Sequence, residues 1–296
     1  MASLVKRLTD KGLITPPSFL PDNVQYETAM GSMAYGVNTD GSDEDIYGFA
    51  IAPKEIIFPH LAGEIQGFDK QGRRFDQYEQ HHIQFSDKKE YDIVIYNIVK
   101  YFRLCADGNP NMTDSLFTPA VCVKHSTQTG QMVRDNRKLF LSKKCWHTFK
   151  GYAYSQLHKM RTKKPDSPKR KATVEKYGYD TKYGYHLVRL LNEVEQIMTE
   201  GDLDLQRNRE QLKSIRRGEW KIEDIENYFT DKEKQLEKVY LESNAIPMKV
   251  REAEIKQLLV NCLEHHYGDL SSVCPQPDKY LKALRDIKLV VDSSLK

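Results

Sequence analysis

Residues 31–49 read GSMAYGVNTDGSDEDIYGF, and within them Asp43, Glu44 and Asp45 stand side by side. Adjacent carboxylates repel one another and add nothing to an apolar core. The trio therefore lies on a solvated loop, or something positive holds it together. On a strand, Asp43 and Asp45 point the same way and can share cations, while Glu44 leaves by the opposite face. Hard cations such as Mg²⁺ take oxygen ligands, commonly one or two carboxylates plus substrate phosphates. Upstream, Gly31-Ser32 suits a tight turn before a helix, where backbone amides and a hydroxyl can hold a phosphate. A phosphate site and a metal site on neighbouring elements are the minimal set for phosphoryl or nucleotidyl transfer. Either motif alone is weak, because Asp-x-Asp is common in solvated turns and NTDGSDED is rich in turn residues. The information lies in the pair, in this order and ten residues apart.

The elements that must position these residues are of two kinds. In the first half, turn residues are dense and the runs between them are short and β-like, as in IYGFAIA and HHIQF. From Lys88 the period changes: Tyr91, Ile95, Ile98, Val99 and Phe102 recur at helical spacing, which predicts a helix stopped by DGNPN at 107–111. Asp87 and Glu90 resemble a capping box at its start. The second half reads as nearly all helix. Leu187, Leu190, Leu191, Val194, Ile197 and Met198 form one apolar stripe, ended by Gly201. Ile222, Ile225, Phe229, Leu236 and Tyr240 form a second, and Ile255, Leu258, Leu259, Cys262 and Leu263 a third. A last amphipathic segment runs from about Asp278 to Val291.

Between the halves, residues 158–182 form the most basic stretch. From Lys159 to Lys182 there are nine Lys or Arg against three acids, with two prolines. This composition predicts an exposed basic loop. A solvated linker and a phosphate-facing lid or nucleic-acid contact fit it equally.

With 296 residues, 39% hydrophobic and 29% charged, the chain has room for a sizeable core and most naturally two domains. Apolar runs fall short of a membrane span, and the N-terminal MASLVKRLTDKGLITPP has no signal-peptide core. Five scattered cysteines argue for reduced thiols, so the expected location is cytoplasmic. CLEHHYGDLSSVC at 262–274 is read as a buried cysteine with surface histidines rather than a zinc site, and His81-His82 alternate faces of a presumed strand.

Gly31-Ser32 followed by Asp43-x-Asp45 resembles the signature of the DNA polymerase β-like nucleotidyltransferase superfamily. The extended block GSMAYGVNTDGSDEDIYG is similar to the nucleotidyltransferases grouped as the RNA-repair-associated polymerase-β family. So are residues 89–117, FKGYAYSQLHKM at 149–160 and YGYDTKYGYHLVRLLNEVEQIMTEGDL at 177–203. Residue 44 departs from the pattern, since many members carry an apolar residue there.

The resemblance implies an α+β fold: a mixed sheet with flanking helices as catalytic core, residues 1–140, then a mainly helical domain, residues 141–296. It implies an enzyme that moves an NMP from an NTP to an acceptor hydroxyl using two Mg²⁺ ions, with Mn²⁺ as alternative. Three strand-borne carboxylates hold those ions in the superfamily. Asp43 and Asp45 match two, and Asp92 is the expected third, with Glu90 and Asp76 as rivals and a helix first-turn position as its competing reading. Gly31 and Ser32 would bind a triphosphate oxygen. Lys182, His186 and Arg189 fall on one helix face and would clamp the triphosphate. Tyr179 and Tyr185 could stack a base, but in a chain with 17 tyrosines core or surface packing is the commoner role. The family's link to RNA repair suggests an RNA acceptor, tRNA or a broken end, contacted by Lys163, Lys164, Lys169, Arg170 and Lys171. A protein hydroxyl is the enzymatic alternative. A non-catalytic nucleic-acid-binding protein on the same fold is the rival from another class.

Overall fold

The computed structural model describes residues 2–38, 43–58, 74–85 and 89–268, together with 287, 288, 290 and 291. Asp87, Cys274 and most of the segment 278–291 lie outside the described residues. Among the described residues five strands form one sheet: β1 (Val24–Ala29), β2 (Glu44–Ala50), β3 (Gln77–Gln84), β4 (Glu90–Asn97) and β5 (Val123–Ser126), in the order β3-β4-β2-β1-β5. β1 runs antiparallel to β2 and β5, β3 antiparallel to β4, and β2 parallel to β4.

The period-2 alternation of the strands divides the sheet into two faces. Ile46 and Ala50 of β2 and Tyr91, Ile93 and Ile95 of β4 join a core that includes Leu4, Val5 and Leu8 of α1 (Leu4–Asp10) and Leu20, the first residue of α2 (Leu20–Asn23). Phe49 and Tyr26 turn the other way, into a larger core shared with the helices. Glu44 therefore shares a face with Ile46, and Asp45 and Asp92 share the face turned toward the helices.

On that side lie α5 (Ile98–Ala106), α6 (Pro110–Phe117), α7 (Gln128–Asp135), α8 (Lys144–Thr162), α9 (Pro168–Tyr177), α10 (Thr181–Glu200), α11 (Arg209–Arg216), α12 (Ile222–Glu242) and α13 (Glu252–Tyr267); two short turns, α3 (Gly31–Ala34) and α4 (Lys54–Ile57), complete the set. The larger core runs without a break from Tyr26 and Phe49 to Phe149, Leu187, Phe229 and Cys262, on both sides of residue 140. The three apolar stripes form α10, α12 and α13, and α10 ends at Gly201 with φ 63, the left-handed C-terminal cap that glycine permits.

Two expectations are corrected. The helix predicted from Lys88 begins only at Ile98, where the Asn97 side chain accepts the Val99 amide. Residues 90–97 are β4, a strand paired on both edges whose Ile93-Val94-Ile95 run carries no decisive period. The basic stretch 158–182 is mostly helical: α8 continues to Thr162, and α9 starts at Pro168 under a Ser167 cap and stops at Gly178, φ 82. Serine cap, first-turn proline and left-handed glycine are a full set of local helix signals, and they outweigh the charge density.

Candidate active site

Gly31 opens α3 with φ +62, a backbone conformation that disfavours any residue with a side chain. The position has a second demand. A Cβ on Gly31 would fall 2.4 Å from Asp45 Oδ2, so the glycine lets the carboxylate press against the turn. The Met30 amide donates to the Asp45 carbonyl at 2.7 Å, fixing the end of β1 to the start of β2. Ser32 is half-buried beside this contact.

Asp45 lies opposite Asp92 in the parallel register of β2 and β4, and the two residues share a face. Asp43 stands exposed just ahead of β2. Burial pushes the Asp45 carboxyl up from its ordinary range; the Lys182 charge opposes this, and Asp92 and Asp43 push it further up. A negative site gathered beside one lysine results.

Glu44 answers the question of why three acids stand together. Its side chain is 4% exposed and ion-paired to Lys89 at 2.7 Å and Lys124 at 2.9 Å, on the sheet face away from Asp45. Burial works against its charge, but the two lysines outweigh it and hold the carboxyl below its ordinary value. It is a structural ion-pair member rather than part of the site.

Around Asp92 the structure adds partners that the sequence did not suggest. Asp92 Oδ1 accepts the His82 amide at 2.8 Å, and its Oδ2 lies 3.3 Å from His81 Nδ1. His82 has φ 57 at the bulge in β3 between Gln80 and Ile83, and its Nδ1 is 2.6 Å from Glu90 Oε1. One potential ligand atom from each of His82, Glu90 and Asp92 lies within 4.8 Å of the others. Hydrogen bonds to Glu79 and Glu90 respectively raise the His81 and His82 pKa values above the ordinary histidine value. The rival Asp76 accepts the Asn97 amide through its carbonyl, at the other end of β4 from Asp92.

The predicted face of α10 changes character along its length. Lys182 is exposed, His186 is largely buried, and Arg189 is 2% exposed. The Arg189 guanidinium bridges Asp114 of α6 and Glu193, 3.0 Å away, and lies 4.1 Å over the Tyr35 ring. The three residues share a helix face, but that face passes into the core within two turns. Arg189 is thereby brought to two carboxylates and not to the solvent side that Lys182 occupies. Burial drives the His186 pKa well below the ordinary histidine value, and the charges of Arg189, Lys182, Arg216 and Arg170 push it the same way. Tyr185 is buried, stacked 4.1 Å from the His186 ring, and Tyr179 is buried with its hydroxyl donating to the Trp220 carbonyl at 2.9 Å.

Of the candidate RNA contacts, Lys163 and Arg170 have acidic partners. Lys163 pairs with Asp166 at 2.8 Å. Arg170 pairs with Asp180 at 2.8 Å and lies over the Tyr183 ring. Lys164 and Lys171 are exposed, and the Lys169 side chain lies outside the described residues.

The profile of the RNA repair pathway DNA polymerase beta family matches residues 15–281. A nucleotidyltransferase-like protein from Exiguobacterium sibiricum 255-15, known from its crystal structure, is 10% identical, with 80% of this chain and 77% of that chain covered and a TM-score of 0.28. That likeness is too distant to carry residue roles. No curated protein matches the sequence.

Proposed function

The chain belongs to the RNA repair pathway DNA polymerase beta family and is a nucleotidyltransferase; we propose that it moves a nucleoside monophosphate from an NTP to a hydroxyl at an RNA 3′ end, that of a tRNA or of a broken strand. The acceptor hydroxyl loses its proton to solvent and its oxygen forms a bond to the α-phosphorus as the bond to pyrophosphate breaks. The observation that carries this reading is the meeting of Asp45 with the Gly31 turn on one side and with Asp92 in register on the other.

Asp43, Asp45 and Asp92 would hold divalent ions. Their donor set is all carboxylate, which suits two Mg²⁺ with Mn²⁺ as the alternative. The upward push on the Asp45 carboxyl from Asp92 and Asp43 is a repulsion that bound cations relieve. Such ions, when bound, neutralise the triphosphate and lower the pKa of the attacking hydroxyl.

The remaining work falls to the chain's own side chains. Gly31 lets backbone approach the triphosphate, and the Ser32 hydroxyl donates to one of its oxygens. Lys182, whose charge acts on Asp45, offsets phosphate charge. His186, held neutral, offers a hydrogen bond without adding charge. Arg189 acts indirectly: by tying Asp114 and Glu193 to the Tyr35 ring, it fixes α10 against the residue just after α3.

The test is incubation with each α-³²P-labelled NTP, Mg²⁺ and total RNA, resolved on gels for RNA and for protein. Label on a discrete RNA band supports the proposal and names the nucleotide. Label on a protein band instead assigns a protein hydroxyl as acceptor. RNA binding that persists in EDTA with no label from any NTP assigns a binding module.

A further inference from the structure

A second basic feature lies behind the Gly31 turn, in residues far apart in sequence. Arg134 of α7 and Arg137 just after it meet Arg207, just before α11, and Arg209, its first residue, around a cavity of about 630 Å³ whose wall also holds Phe117, Gln206 and one acid, the exposed Asp204. Arg207 is neutralised by Glu200. Arg209 has only a 3.6 Å approach to Glu210. The contacts of the other two arginines are with neutral groups. Arg134 donates to the hydroxyls of Tyr26 at 2.8 Å and Thr118 at 3.2 Å and to the Thr118 carbonyl; Arg137 donates to the Arg134 carbonyl at 3.0 Å and lies over the Phe117 ring.

A half-buried guanidinium held by neutral acceptors keeps its charge and its orientation, and a group of them facing one open space is a site for phosphate oxygens. The cavity is far larger than one phosphate group. It also adjoins the catalytic edge. The Gln206 amide nitrogen lies 3.4 Å from the Met33 carbonyl and 3.3 Å from that of Ala34. Gly36 packs so closely that a Cβ there would stand 3.3 Å from the Gln206 side chain and 3.5 Å from Arg209 Cδ. Gln206, in the cavity wall, thus holds the last turn of α3, whose first residue, Gly31, meets Asp45.

We infer that this arginine cavity seats the phosphodiester backbone of the acceptor RNA, beside the site at which its hydroxyl reacts. The inference rests on RNA being the acceptor. It moves the principal contact away from the α8–α9 connection, where Lys163 and Arg170 already have carboxylate partners.

The experiment measures binding of a fluorescein-labelled single-stranded RNA and of labelled tRNA by anisotropy over a range of salt concentrations. Three proteins are compared: unaltered, R137E/R209E, and K163E/K164E/K171E. Arg134 is left intact because its hydrogen bonds tie β1 to Thr118. R209E alone, at an exposed position, is measured beside the double variant so that a folding defect at Arg137 does not decide the result. The expected result is a loss of at least tenfold in affinity for R137E/R209E, a smaller loss in the same direction for R209E, and little change for the lysine variant. The slope of log affinity against log salt should fall by about 1.4 in the double variant, two single-stranded phosphate contacts at about 0.7 each. Unchanged affinity and slope in both arginine variants overturns the inference and leaves RNA as the acceptor. Loss confined to the lysine variant also overturns it and returns the contact to the α8–α9 connection. No RNA binding by the unaltered protein removes the acceptor reading itself, and this inference with it.

Discussion

Asp45 occupies the space in which Gly31 would carry a side chain: a Cβ there would stand 2.4 Å from Asp45 Oδ2. The glycine serves both a left-handed backbone and the seating of a carboxylate, so Gly31→Ala separates the two demands. The Asp45 side chain can swing aside, and the backbone cost of about 1–2 kcal/mol is tolerable for a chain of this size. The variant should melt within a few degrees of the unaltered protein yet lose transfer by about 100-fold, as displacement of a reacting group by roughly 1 Å does. A fully active Gly31→Ala protein would remove the close approach from the account.

Asp45→Asn has an opposite signature. A carboxyl whose folded pKa is raised, here first by burial, binds its proton more readily folded than unfolded, so its charge costs stability at pH values above the unfolded pKa. Neutralising it should leave the melting temperature unchanged or higher while abolishing transfer. A lower melting temperature would mean that the carboxylate is needed by the fold. Asp43→Asn, at an exposed position, should likewise abolish transfer without a stability loss.

Arg189 is predicted to behave as a framework residue. Arg189→Met leaves Asp114 and Glu193 buried without their cation, a loss of about 3–5 kcal/mol in urea unfolding. If the variant instead kept its stability and lost only NTP affinity, Arg189 would be a direct phosphate ligand.

His186 makes stability depend on pH in a known direction. Its folded pKa is depressed by burial and by the surrounding cations, so the unfolded chain takes up the proton first as pH falls. The contribution is fully present above the unfolded value of about 6.5 and is lost progressively below it. The slope of unfolding free energy against pH between about 6.5 and 5 should flatten in His186→Asn, a range set by the ordinary histidine value. An unchanged slope would mean that the ring is protonated in the folded state.

The meeting of Gly31 with Asp45 is legible because both lie in one short block, and the stripe of α10 is legible because a 20-residue helix repeats its period several times. β4 was not, because its Ile93-Val94-Ile95 run interrupts the alternation and the strand runs directly into α5, so Tyr91, Ile95 and Ile98 imitate one helix. Its run of β-branched residues from Ile93 to Ile95, with Asn97 as the cap of α5, was the signal that distinguishes them. The partners of Glu44 lie 45 and 80 residues away, and Asp114 is 75 residues from Arg189. The arginine cavity draws on two segments some 70 residues apart. No local spacing announces such pairings; they arise when helices dock on the sheet.

The most direct test compares transfer of α-³²P label to RNA by the unaltered protein, Asp92→Asn, Glu90→Gln and Asp76→Asn, with Mg²⁺ at saturation. Asp92 alone of the three acids faces Asp45 in register, so Asp92→Asn should abolish labelling while Glu90→Gln and Asp76→Asn retain it within about tenfold, the scale of a supporting side chain. Full labelling by Asp92→Asn, or its loss in Asp76→Asn, would contradict the assignment of the site.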